Sequence, residues 1–195
     1  MKEKEFNNFW NWIENNIEYL TPKKITAEYI DLLDAEIEKI GDFSWEIGFD
    51  NRVNKNFLTI SPEGDAELLK LSRTIINEAP AIEGWIFYSS KPPKQWKLIF
   101  NLLINDEKVQ FNATEWKYIL YKYPDNVYDV VIQVPKSYMP YDEYFHEIGD
   151  IAVTGELGEA FVIEYINEID VVYEFDKEDI GKEKDFIHLK TEILM

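Results

Sequence analysis

Apolar residues recur every three or four positions at the start of the chain. Phe6, Phe9, Trp10, Ile13, Ile17 and Leu20 form the series, with Asn7, Asn8, Asn11 and Glu14 between them. That spacing places the apolar set on one face of a helix. Thr21-Pro22 ends it or begins the next. A second helix follows, with Thr26 as N-cap, Glu28 in its first turn, and a stripe of Tyr29, Ile30, Leu33, Ile37 and Ile40 before Gly41. Residues 1–41 therefore read as an N-terminal helical pair.

The period then drops to two. Phe43, Trp45, Ile47 and Phe49 alternate with Ser44, Glu46 and Gly48, the pattern of a half-buried antiparallel strand. Asp50-Asn51-Arg52 reads as a turn and Phe57 to Ile60 as the returning strand. Ser61-Pro62-Glu63 has the chemistry of a helix start: a hydroxyl at the N-cap, proline in the first turn, an acid beside it. The helix carries Leu68, Leu71, Ile75 and Ile76, stops before Pro80, and leads to a strand at 85–89.

Beyond the linker-like Ser90-Lys91-Pro92-Pro93-Lys94, Leu98 to Ile104 is apolar on both faces and reads as a central strand. Asn105-Asp106 turns it into Val109 to Phe111. A hairpin follows, 117–122 and 127–134 around Pro124-Asp125-Asn126, residues suited to a tight turn. Pro140 opens a helix with Tyr141, Tyr144, Phe145, Ile148, Ile151 and Ala152 on one face, and Gly155 and Gly158 bracket its exit. Strands are expected at 161–165 and 169–175, and a short helix after Lys184.

The order ββαβ occurs twice, over 43–89 and 117–175, at similar lengths and with negligible identity. The expected fold is a single α+β domain over 1–195: an antiparallel-dominated sheet with helices packed on it, a ββαβ pseudo-repeat, and the helical pair in front. Few strand–helix–strand units have the spacing that a doubly wound parallel sheet requires.

Charge changes the picture more than composition does. The chain holds 38 acids and 20 bases, and from Tyr141 onward there are 16 acids and 4 bases. Two thirds of the net charge of -18 thus lies in the last 55 residues. Such a field repels nucleic acid and anionic membrane and draws a basic partner inward. There is no Cys, so disulfides, thiolate catalysis and Cys-based metal sites are excluded. No apolar run approaches the roughly 18 residues that span a bilayer. With no signal-peptide core at the N-terminus, a cytoplasmic protein is expected, and the sequon at Asn112 is then a chance match.

Glu143-x-x-His146, with Glu147 and Asp150 following, and Asp185-x-x-His188 have the carboxylate–imidazole spacing of di-iron helices. Helical phase places Glu143, His146, Glu147 and Asp150 opposite a stripe centred on Ile148, and His188 away from Leu189 and Ile193, so both sets read as solvated faces. Glu46 serves as a catalytic carboxylate only if a second acid faces it. No Asp-x-Asp-x-Asp-Gly loop suggests Ca²⁺, and Thr154-Gly155-Glu156-Leu157-Gly158-Glu159 lacks the strand and Lys of a phosphate loop. Trp10, Trp45 and Trp85 fall on apolar faces. Trp12 lies off its helix's main stripe, and Trp96 and Trp116 sit at element edges, where an aromatic residue either packs partly or serves an interface. No catalytic, cofactor-binding or metal-ligating residues are assigned.

The run Ile60-Ser61-Pro62-Glu63-Gly64-Asp65, through Ala79-Pro80 to Gly84-Trp85, and the later Gly155-Glu156-Leu157-Gly158-Glu159 resemble a bacterial protein family of unknown function over about 40–175. In composition alone, an acidic, cysteine-free α+β chain is similar to immunity proteins of bacterial toxin systems. The leading expectation is a non-enzymatic module that binds a basic protein, such as a toxin, through Glu143, Glu147 and Asp150, with no cofactor. The second is an enzyme or small-ligand protein with a pocket between sheet and helices.

Overall fold

The computed structural model describes residues 2–194, the side chains of Lys2 and Glu3 excepted. The fold is α+β with mostly antiparallel strands, as the two periodicities predict. The chain divides into two compact units that meet in sequence between Lys91 and Pro92, and each has its own apolar core.

The first unit begins with α1 (Lys2–Asn16) and α2 (Ala27–Glu38). α1 buries Phe6, Phe9, Trp10 and Ile13, and the Trp10 indole N–H donates to the Ile75 carbonyl at 2.9 Å. α2 buries Leu33 and Ile37 but leaves Ile30 39 % exposed, so its inward stripe is narrower than predicted. The hairpin β1 (Ser44–Asp50) and β2 (Lys55–Ser61) pairs Trp45 with Ile60 and Ile47 with Leu58 on the core side. α3 (Ala66–Asn77) then crosses to β3 (Trp85–Tyr88), which lies parallel to β2.

The start of α3 corrects the sequence reading. Ser61 ends β2 with its side chain buried, and Glu63 (φ 49°) and Gly64 (φ 85°) turn the chain through left-handed conformations. The helix begins only after Asp65, whose carboxylate accepts from the N–H groups of Glu67 (2.7 Å) and Leu68 (2.8 Å). The cap is Asp65, four residues beyond the expected Ser61. The buried face is accordingly Leu69, Ser72 and Ile75, with Leu68 and Leu71 half-buried.

The second unit opens with β4 (Ile99–Ile104) and β5 (Glu107–Asn112), a two-stranded sheet. β4 is not a central strand. Phe100, Leu102 and Ile104 face the core, whereas Ile99, Asn101 and Leu103 are exposed, Leu103 by 69 %. A continuous apolar run cannot by itself distinguish a doubly covered strand from one with an exposed apolar face.

The main sheet has the order β8-β7-β6-β9, from β6 (Lys117–Lys122), β7 (Tyr128–Gln133), β8 (Ile166–Val172) and the two-residue β9 (Lys184–Asp185). Between β7 and β8 run a 3₁₀ stretch (Lys136–Tyr144), α4 (Phe145–Leu157) and α5 (Glu159–Tyr165). The expected strand at 161–165 is therefore a helix. Its run Phe161-Val162-Ile163-Glu164-Tyr165 is short enough for either period, and Phe161 and Tyr165 pack at the helical i, i+4 spacing with ring centroids 4.7 Å apart. α6 (Leu189–Leu194) closes the unit. β1-β2-α3-β3 and β6-β7-α4-α5-β8 share one connectivity: an antiparallel hairpin, a helical crossover, and a third strand parallel to the second.

Candidate interaction face

α4 turns its apolar side inward. Ile148, Gly149, Ala152, Val153 and Leu157 are buried, and a Cβ on Gly149 would lie 2.9 Å from Ile169 Cγ2 and 3.0 Å from Val171 Cγ2, so helix and sheet approach closely there. The same phase puts Glu147 and His146 in solvent, with Glu143 exposed at the end of the 3₁₀ stretch. Asp150 is half-buried. Burial raises its pKa, and His146 Nε2 at 3.3 Å opposes that rise. His188 is also exposed. Among the described residues no group of three or more His, Asp or Glu side chains could hold a metal ion.

A second acidic row lies on β8. Ile169 and Val171 face α4, so the alternating Glu168 and Asp170 point to the other side of the sheet. Glu168 stands in register with Asp129 of β7, which accepts hydrogen bonds from the Tyr123 hydroxyl and, at 2.9 Å, from Asn167 Nδ2. The Asp129 bond raises the Tyr123 pKa. Tyr123, Pro124, Asp125, Val127 and Asn167 line an open cavity of about 450 Å³ beside this row.

Many other acids of this unit are already engaged. Glu174 pairs with Lys136, Glu183 with Lys117, and Glu192 with Lys184 and the Tyr118 hydroxyl. Asp179 is 6 % exposed and accepts from Lys182 at 2.8 Å and from Tyr121 at 2.5 Å. That last bond, with burial adding to it, raises the Tyr121 pKa to about 12, and burial with the Glu192 bond pushes Tyr118 higher still. Tyr118, Tyr121, Lys182, Lys184 and Glu192 line a smaller cavity of about 160 Å³ at the β6 edge. The larger cavity lies at the turn between β6 and β7, and the smaller one between the β6 edge and α6.

The two motifs that sequence reasoning treated separately meet in the second unit. Trp96 Nε1 donates to Glu156 at 2.7 Å, and the Lys94 N–H donates to the Gly155 carbonyl at 2.8 Å. A Cβ on Gly155 would fall 2.5 Å from the Trp96 ring, and one on Gly158 (φ 85°) 2.7 Å from Pro93. The Pro-Pro segment and the Gly-Glu-Leu-Gly run thus form one packed junction. Trp116, read as an edge residue, is fully buried against Phe100, Tyr138 and Phe186.

Two carboxylates of the first unit are neutralised by neighbours within it. Arg52 holds Asp50 in a bidentate ion pair that, with a bond from Tyr88, depresses its pKa well below the usual carboxylate range. Glu63 gathers Ser44, Ser61 and Lys91, whose bonds outweigh burial and lower its pKa. Across from Glu46 stands Thr59, so no second acid faces it in the strand pair.

No family model, curated protein or solved structure matches this chain. Among the described residues, no helix is long and apolar enough to cross a membrane.

Proposed function

We propose that the protein is a non-enzymatic binding module that uses the acidic face of its second unit to capture a basic protein, with neutralisation of a basic toxin as the biological role. The observation that carries this reading is that Glu143, Glu147, Glu168 and Asp170 are exposed, on a segment whose acids exceed its bases by 12. None of the four side chains makes a hydrogen bond or ion pair among the described residues. Acids engaged by Lys or Tyr neighbours stabilise their own fold. Exposed, unengaged acids such as these four set the external field. Asp150 joins them beside His146.

The test is capture from host extract by immobilised protein at about 20 mM salt and elution by about 300 mM, a range over which screening shortens steeply. The reading expects a basic protein to be retained and released by salt, and to be lost with Glu143→Gln, Glu147→Gln and Asp150→Asn combined. Retention unaffected by salt and by the triple substitution contradicts it, as does recovery of no basic protein.

A further inference from the structure

We propose that the free edge of β8 is where an extended, basic segment of that partner docks, by adding a strand to the sheet; this rests on the preceding reading. β8 ends the sheet order, so one of its sides has no strand neighbour. The Val134 N–H donates to the Val172 carbonyl at 2.9 Å, which turns the backbone groups of Val172 toward β7. Backbone polar groups alternate sides along a strand. From the bulge at Tyr128/Asp129 onward, therefore, Glu168, Asp170 and Val172 bond toward β7, and Ile169 and Val171 turn their N–H and C=O outward. Among the described residues no backbone bond joins those outward groups to another segment. The opposite edge of the sheet is partly closed, because β9 pairs with Lys117 and Tyr118 of β6.

The side chains decide what can fill this edge. Glu168 and Asp170 flank the outward groups and are both exposed. A second copy of the chain would place the same acids against each other, and like charges directly opposite are destabilising in a strand pair. The acids therefore block self-pairing, the common hazard of a free edge, while accepting a strand that carries Lys or Arg at alternate positions. Main-chain bonds at Ile169 and Val171 would supply affinity, and Glu168 and Asp170 the selection.

Amide hydrogen exchange of the full chain, read by NMR, tests this with a nine-residue peptide of alternating Lys and Thr at about 20 mM salt. At a peptide concentration ten times its Kd, exchange at Ile169 and Val171 should slow about elevenfold. A peptide N-methylated at alternate residues, unable to donate along one edge, should not protect them, nor should an alternating Glu–Thr peptide. Glu168→Gln with Asp170→Asn should weaken the Lys peptide roughly three- to tenfold. Binding that leaves Ile169 and Val171 unprotected, or no binding of the Lys peptide, overturns the edge as the docking site. The partner reading then stands or falls separately on salt-released capture and its loss in the Glu143→Gln, Glu147→Gln, Asp150→Asn variant. Protection that grows with protein concentration alone shows edge-to-edge self-association and also overturns the proposal.

Discussion

Replacing Gly155 by Ala should change sign with the residue at position 96. Gly155 lies inside α4, where alanine is ordinarily favoured over glycine by about 1 kcal/mol, because glycine loses more backbone entropy on folding. Here the added methyl would meet the Trp96 ring at 2.5 and 2.7 Å. The ring cannot easily withdraw, since its N–H is bonded to Glu156 and the neighbouring Lys94 N–H to Gly155 itself. Overpacking of this kind costs about 1–3 kcal/mol. The difference is a net destabilisation of roughly 0–2 kcal/mol for Gly155→Ala alone. In a Trp96→Ala background the obstruction is gone, and the same substitution should stabilise by about 1 kcal/mol. The coupling between the two positions is then about 1–3 kcal/mol. Because the chain has two cores, the readout should be local: opening free energies of α4 amides from native-state hydrogen exchange, for wild type, both single variants and the double variant. Stabilisation by Gly155→Ala with Trp96 present, or additivity of the two changes, would refute the packed junction.

Two further outcomes follow from the same geometry. Asp65→Ala should cost about 1 kcal/mol by removing the cap of α3; thermal or urea unfolding of the first unit checks it, and an unchanged midpoint contradicts the assigned cap. The raised pKa of Tyr121 means that the folded state holds this proton more tightly than the unfolded chain. Its contribution is complete below about pH 10 and is lost as pH rises toward about 12. Tyr121→Phe should flatten that alkaline loss in urea titrations of the second unit, and an unaltered pH profile would show that the Asp179 bond contributes nothing.

The elements that carry a long, unbroken period were legible in the sequence. The stripe of α1, the alternation of β1 from Phe43 to Ile47 and the phase of α4 appear in place, and with them the exposure of His146 and Glu147; Phe49, expected on the apolar face of β1, is exposed. Errors fell where one local signal had two physical solutions. Ser61 and Asp65 both suit an N-cap, and only the left-handed turn at Glu63-Gly64 decides between them. The run 161–165 fits either period, and its helix is set by the bend at Gly158, where the Val162 N–H finds the Gly158 carbonyl at 3.1 Å. Of the acidic face, sequence spacing gave the α4 part alone. Glu168 and Asp170 join it because β8 starts at Ile166 and ends the sheet, a fact of strand order that no local pattern encodes. The Trp96–Glu156 contact spans 60 residues and has no periodic signature.

The most direct test of the account is the association rate of a basic partner recovered by low-salt capture, measured by stopped flow as salt rises from about 10 to about 100 mM. Over that range the Debye length falls from about 30 to about 10 Å. Electrostatic steering contributes roughly ten- to thousandfold to such rates at low salt. The acidic-face account predicts a fall of at least about tenfold for the wild type, and a slower, less salt-sensitive rate for the Glu143→Gln, Glu147→Gln, Asp150→Asn variant with its fold intact. An association rate that ignores both salt and these three substitutions would contradict it.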